Sequence, residues 1–306
     1  GWENATVRML VSGKVEVVTV TAPHGQAHET VCSQIVADAL GVDPGDVEVL
    51  HGDTAVAPYG RDTYGSRSVA VGGTAVHLAS GKVVEKARKI AAHMLEAAED
   101  DIEFEAGRFS VRGTDKGTTI QEVALAAYMA ADLPDDVEPT LAADSTFDPP
   151  NFTWPFGTHI CVVEVDTQTG RTQIRRFVAV DDCGVVVNPM IVEGQVHGGV
   201  AQGIAQALYE EALYDAEGNP TTSTLADYAF PAAPDLPSFE LDATVTPSPT
   251  NPLGVKGIGE SGAIGSSPAA LNAVVDAVAH LGVRHIDMPA TPQRVWRAVQ
   301  AAQSRE

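Results

Sequence analysis

Four clusters of polar residues, each flanked by glycine, hold the side chains of this 306-residue chain that could do chemistry. In "APHGQAHET", residues 22–30, a strand ends, Gly25 permits a tight turn, and Gln26 stands at the mouth of the next helix. A helix mouth offers unpaired N–H groups to an anion, and Gln26 adds an amide. The simpler alternative is a helix cap with His28 and Glu29 solvated. In "YGSRSVAVGG", residues 64–73, Ser66 and Ser68 flank Arg67 just before a helix. Two hydroxyls, a guanidinium and free amides suit a phosphate or pyrophosphate, with a plain N-cap as the alternative.

The third cluster is "VDDCGVVVNPMIVEGQVHGGVAQG", residues 180–203. Asp181, Asp182 and Cys183 leave a strand, Asn188 precedes a helix, and Gln195 lies on it. Gly198, Gly199 and Gly203 each lower helix stability by up to about 1 kcal/mol. Such residues are tolerated where a ligand or another helix packs against the backbone. The fourth cluster, "GVKGIGESGAIGSSP", residues 254–268, sets one carboxylate, Glu260, among Gly254, Gly257, Gly259, Gly262 and Gly265. Glu260 is either a surface acid favoured near a helix N-terminus by about 0.3–1 kcal/mol, or a general base held against a reactive centre. A P-loop is excluded, because no GxxxxGK[ST] occurs. The loop also fails as a dinucleotide fingerprint, having no strand-to-helix GxGxxG with an acid about 20 residues on.

The elements that must position these clusters follow from periodicity. Residues 6–21 alternate and are β-branched, a hairpin around Gly13. "HETVCSQIVADALG" has helical periodicity and stops at Gly41, and "VEVLHGD" is a short strand. Residues 68–99 predict one long helix, either continuous or broken near Gly81. "DIEFEAGRFSVRG" is a hairpin turning at Ala106-Gly107, and "TIQEVALAAYMAA" is a capped helix. Five prolines between 133 and 156 mark a linker or long crossover. Beyond it, a hairpin turns at Thr169-Gly170, and Asn188-Pro189 opens a long helix. A strand follows at 239–245, a helix begins at Ser267-Pro268, and a terminal helix begins at Pro292. The fold class is α+β: two subdomains, 1–150 and 151–306, with mixed sheets, β-hairpins and long packed helices.

The totals narrow the functional classes. Hydrophobic residues make up 44% of the chain, enough for real cores, and no apolar run is long enough to cross a membrane. The net charge of −22 argues against nucleic acid and anionic membranes as partners. An anionic ligand must therefore be held by local backbone donors. Cys32, Cys161 and Cys183 are widely spaced and have no zinc or iron–sulfur spacing. An odd cysteine count with no secretory signal in view predicts reduced thiols and a cytoplasmic location.

Taken in order, "HGQAHET", "YGSRS", "VDDCGVVVNP", "GQVHGGVAQGI" and "GVKGIGESGAIGSSPAALNAVVDA" resemble the large subunit of the molybdenum hydroxylases. This is the family of xanthine dehydrogenase, aldehyde oxidoreductase and aerobic carbon monoxide dehydrogenase. The tail "GVRHIDMPATPQRVWRAV" is also similar, and the likeness runs from about residue 5 to residue 301. "GSRS" and "TWPFGTHICVVEVD" look closest to the carbon monoxide dehydrogenase-like branch.

The resemblance implies a molybdenum-cofactor-binding fold and a molybdopterin cytosine dinucleotide carrying molybdenum, shared with an N-terminal half of the large subunit. By the same likeness, Gln26 meets the molybdenum end or the pterin. Gly65, Ser66, Arg67 and Ser68 lie along the pterin and phosphates. Asp182, Cys183, Asn188 and Gln195 support pterin and nucleotide, and Gly259 adjoins the cofactor. Glu260 matches the active-site glutamate, the base in a water-derived hydroxylation of a small substrate: carbon monoxide, an aldehyde or an N-heterocycle. Iron–sulfur clusters and FAD are expected on partner subunits, since no cysteine here suits a cluster and no flavin site is apparent. The chain alone is then an incomplete enzyme. Two alternatives stand beside this reading: a scaffold partner without cofactor, and an unrelated phosphate-binding module using Ser66-Arg67-Ser68.

Overall fold

The computed structural model describes residues 1–57 and 59–304. They divide into two compact units. The first comprises Gly1–Trp154, Val185–Asn188 and Pro247–Gly257; the second comprises Pro155–Gly184, Pro189–Thr246 and Ile258–Glu306.

The first unit is built on the N-terminal hairpin, β1 (Glu3–Met9) and β2 (Val15–Thr19), paired antiparallel from Ala5↔Thr19 to Met9↔Val15. Ala5, Val7 and Met9 on β1 and Val15 and Val17 on β2 are buried, as period-two alternation requires. Helix α1 (His28–Leu40) ends at Gly41, whose φ of 65° lies in the left-handed region. A β-carbon there would also come within 2.7 Å of Ala106 Cα, so a side chain is excluded on two counts. Strand β3 (Val47–His51) joins β2 in parallel.

Helix α2 (Thr74–Met94) follows a π-helical turn, Ser68–Gly73. It runs through Gly81 unbroken, the first of the two alternatives. Gly81 faces open space, and Ala79, Ser80 and Val83 around it are fully buried. Packing of that face outweighs the roughly 1 kcal/mol propensity loss. Strands β4 (Ile102–Glu105), β5 (Arg108–Val111) and β6 (Gly117–Thr119) form a small antiparallel sheet. Helix α3 (Ile120–Met129) opens with a capping box between Thr119 and Glu122. The proline-rich stretch expected to be a linker or long crossover contains β7 (Leu141–Phe147), which pairs antiparallel with β1 from Glu3↔Phe147 to Met9↔Leu141. The prolines flank this strand, so its pattern is legible only once β1 supplies a partner. The larger sheet has the order β3-β2-β1-β7. Its core holds Val7, Val17, Leu40, Val83, Ile90, Ile120 and Leu141.

The second unit carries the long hairpin β8 (Phe156–Val165) and β9 (Thr172–Asp182). Its turn is closed by Asp166, which accepts from Gln168 N and Thr169 Oγ1. Helix α4 (Pro189–Leu208) leads through an exposed irregular segment to β10 (Phe239–Thr244), which joins β9 in parallel. The sheet order is β10-β9-β8. Helix α5 (Ser261–Val278) starts six residues earlier than Ser267-Pro268 predicts, leaving Pro268 inside the helix. Pro268 forfeits one bond to the carbonyl of Ile264, a residue on the solvent side, where water can take it. Helix α6 (Pro292–Gln303) is capped by Thr291, whose hydroxyl accepts from Arg294 N at 3.4 Å. Phe177, Val200, Ile204, Val274 and Val295 centre this unit's own core. No described helix is long and apolar enough to cross a membrane.

Candidate functional site

In the second unit, Glu260 is the residue that opens α5, and both it and Gly259 are exposed. The Glu260 carbonyl accepts from Ile264 N at 3.0 Å, starting the helical ladder. Gly, Ser and Ala dominate the first two turns, a composition too weak to make a helix by itself. Contact with α4 makes it one. A β-carbon on Gly199 would lie 2.9 Å from Ala263 N, and one on Gly262 would lie 2.8 Å from Val196 O. One on Gly203 would meet Ala263 O at 2.8 Å and Ser266 Oγ closer still. The Ser267 hydroxyl bonds to Gly203 O at 3.2 Å and to Ala263 O at 3.1 Å. The two helix backbones therefore nearly touch, and the head of α5 is clamped. Close helix packing, one of the two readings for these glycines, is the observed use of Gly199 and Gly203, whereas Gly198 faces open space.

Gln195 is half-buried on the same α4. Asp182, fully buried, accepts from Gly184 N at 3.0 Å and from Thr244 Oγ1 at 2.9 Å. Its carboxylate thereby ties the end of β9 to β10 and shapes the turn that carries buried Cys183.

In the first unit, the Gln26 amide oxygen accepts from His24 N and so stiffens the turn before α1. Ala27, the N-cap, is left-handed at φ 57° and makes no side-chain cap bond. His28 is not solvated: it is 6% exposed, and its Nδ1 donates to Thr21 O at 3.1 Å. Burial lowers its pKa, opposed by that hydrogen bond. Its Nε2 is buried and has no partner among the described residues. Glu29 accepts from His51 Nε2 at 2.7 Å, and its pKa falls through helix-end hydrogen bonding and that imidazole.

Gly65 and Ser66 are both left-handed, at φ 55° and 57°, and turn the chain into the π-helical segment. The Arg67 guanidinium is engaged within the unit. It pairs with Glu3, which is fully buried, and donates to Asp62 O and Gly1 O, each at 2.7 Å. Arg67 thus braces the 60–68 loop against the start of β1. Ser68 Oγ donates to Thr63 Oγ1 at 3.0 Å. Asn188 Nδ2 donates to Gln34 Oε1 at 2.9 Å, on α1. Gly257 packs on the same turn: a β-carbon there would lie 2.6 Å from Ser66 Cβ and closer to its carbonyl oxygen.

The candidate residues fall in both units: Gln26, Gly65–Ser68 and Asn188 in the first, and Asp182, Cys183, Gln195, Gly259 and Glu260 in the second. Sequence reasoning missed the serine clamp of Ser266 and Ser267, and also His159. The alternation His159, Cys161, Val163 is the signal that sets His159 on the inward face of β8. Among the described residues, no group of three or more His, Cys, Asp or Glu side chains could hold a metal ion. Burial pushes the Cys32 thiol up to about 12, which makes it an inert core residue.

Residues 1–237 match the family described as molybdopterin cofactor-binding domain. The carbon monoxide dehydrogenase large chain of Hydrogenophaga pseudoflava is 48% identical over 97% of this chain, which spans 37% of that relative. Reconstituted CO dehydrogenase from Oligotropha carboxidovorans superposes with a TM-score of 0.94 at 43% identity, over 99% of this chain and 38% of that one. Quinoline 2-oxidoreductase from Pseudomonas putida 86 gives 0.91 at 44%, over 98% and 38%. The chain spans little more than a third of the length of these relatives; the first three polar clusters lie within residues 1–237, and the fourth, with Glu260, lies beyond them. The chain belongs to the molybdopterin cofactor-binding domain family.

Proposed function

We propose that this chain is the part of a molybdenum hydroxylase large subunit that supplies the general base, Glu260, and contributes binding residues for molybdopterin cytosine dinucleotide. The observation that carries this reading is an exposed carboxylate at the head of a helix whose position is held by backbone-to-backbone packing. The residues present fit such a group. The mouth of α1 has no side-chain cap, and the buried His28 Nε2 there has no partner among the described residues, which suits an anionic, hydrogen-bonding cofactor.

When bound, that cofactor supplies the centre that accepts two electrons from the substrate, with water as the oxygen source. Glu260 then holds and moves a proton at its carboxylate. Exclusion of water strengthens a carboxylate as a base, so closure of cofactor and substrate over this exposed group serves the reaction. Gln26 and the amides and hydroxyls of residues 65–68, braced by Arg67, orient pterin and phosphates. Asp182, Cys183, Asn188 and Gln195 shape the supporting backbone.

The substrate class is small: carbon monoxide, an aldehyde or an N-heterocycle. The names of the relatives, one a carbon monoxide dehydrogenase and one a quinoline oxidoreductase, support that breadth. The other participants are the N-terminal half of the large subunit, an iron–sulfur subunit and a flavin subunit, all cytoplasmic. Strand β8 is a sheet edge with Ile160 and Val162 55% and 48% exposed. The net charge of −22 opposes a second copy there, and the much longer relatives leave the rest of the large subunit as the occupant.

In the molybdenum-loaded enzyme, Glu260→Gln lowers turnover by about 100-fold or more while molybdenum content and released cytosine nucleotide stay unchanged. Turnover near wild type would remove Glu260 as the base.

A further inference from the structure

A buried hydrogen-bonded pair lies beneath α5 and takes no part in the chemistry above. His159 on β8 has a side chain only 3% exposed, and its Nε2 lies 3.2 and 3.4 Å from the two carboxylate oxygens of Asp181. A carboxylate accepts, so Nε2 carries the proton that binds it. Nδ1 is then left buried, with no partner among the described residues. The ring also meets Phe177 edge-on, at 5.8 Å between centroids, and Phe177 is fully buried in the core.

Two glycines make room for this pair. On β8, Gly157 stands opposite Asp181 in register, and a β-carbon there would collide with the Asp181 carboxylate and lie 2.6 Å from Val180 O. On α5, a β-carbon at Gly265 would lie 2.5 Å from His159 Nδ1 and 2.6 Å from Cε1. The imidazole is therefore pressed against helix backbone at a point where only glycine fits. Gly265 is five residues past Glu260, about 7.5 Å along the helix axis. A buried polar group with an unmet nitrogen is unfavourable by itself, and an apolar ring would fill the space. The Asp181 bond fixes the orientation that an apolar ring would leave free.

We propose that His159, held by Asp181, is a positioning residue: its ring sets the height of the first two turns of α5 over the sheet, and through them the place of the Glu260 carboxylate. This rests on the reading of Glu260 as the base. It predicts that the spacing between residues 159 and 265 tunes turnover without changing substrate binding.

The test uses the molybdenum-loaded enzyme and, in parallel, thermal melting of the chain without cofactor. Gly265→Ala should lower kcat about 10–100-fold with KM and molybdenum content unchanged, because a shift of about 1 Å at a reacting group has effects of that size. His159→Ala alone should also lower kcat. Combined with Gly265→Ala it vacates the space the new methyl needs, so the double variant should regain the melting temperature that Gly265→Ala loses and show the kcat of His159→Ala alone. His159→Phe keeps the ring shape without the Asp181 bond; it should retain the fold and lower kcat, which keeps the idea testable if Gly265→Ala does not fold. Wild-type kcat in Gly265→Ala or His159→Phe, or additive losses in the double variant, would overturn the proposal. If Glu260→Gln itself retains turnover, the base reading fails; if it is inactive while the 159 and 265 variants are normal, only the positioning role fails.

Discussion

Gly257 rests against the backbone of Ser66, so closely that a β-carbon would come 2.6 Å from Ser66 Cβ and 2.7 Å from its carbonyl carbon. One glycine of the Glu260 loop is thus a packing partner of the Ser66-Arg67-Ser68 turn, inside the first unit. The same logic covers its neighbours. Gly254, left-handed at φ 66°, abuts Val185, while Gly262 abuts α4 and Gly265 abuts His159. These glycines serve close approach of chain to chain.

Gly257→Ala cannot be accommodated by a rotamer change, because the obstructing atoms include backbone. Overpacking of this kind destabilises by about 1–3 kcal/mol. Urea unfolding of the chain should show a lower midpoint with an unchanged slope.

Gly203→Ala acts on the α4–α5 clamp. The new methyl meets Ala263 O and the Ser266 hydroxyl, so α5 must move or strain. A loss of about 1–3 kcal/mol is expected. Hydrogen exchange should speed up in α4 and α5 and leave α2 unchanged, since α2 belongs to the other core.

Arg67→Ala leaves Glu3, which is fully buried, without its cation. Breaking a buried pair from one side is destabilising by about 3–5 kcal/mol. Arg67→Ala combined with Glu3→Gln should recover part of that loss, because no uncompensated charge remains. Denaturant unfolding of the three variants checks the order.

His28 gives a pH signature. Burial lowers its pKa below the ordinary 6.5, so the unfolded chain takes up the proton first as pH falls. Its contribution to stability is complete above about 6.5 and declines as pH drops from there toward the folded-state value. His28→Phe should flatten the part of the melting-temperature curve just below about pH 6.5, leaving the lower-pH limb, where Glu29 titrates, in place.

Much of the fold was legible from local pattern. The hairpins at Gly13, Ala106-Gly107 and Thr169-Gly170, the capping box at Thr119, and the helix end at Gly41 each obey a rule confined to a few residues. The misses share a cause. Strand β7 looked like linker because its partner, β1, is more than a hundred residues away. The first turns of α5 looked like loop because glycine and serine form helix there only against α4. At Gly81 local propensity left a continuous and a broken helix both open, and buried neighbours on either side decide for the continuous one.

The sequence alone determined that this chain folds as an α+β protein, which polar clusters carry its chemistry, and which family it resembles, because periodicity and motif spacing are properties of the chain itself. Tertiary structure alone decided what the glycines are for, that Arg67 braces the fold through Glu3, and that His159 lies under α5. Those facts depend on which distant backbones come within van der Waals reach, and no local pattern encodes that.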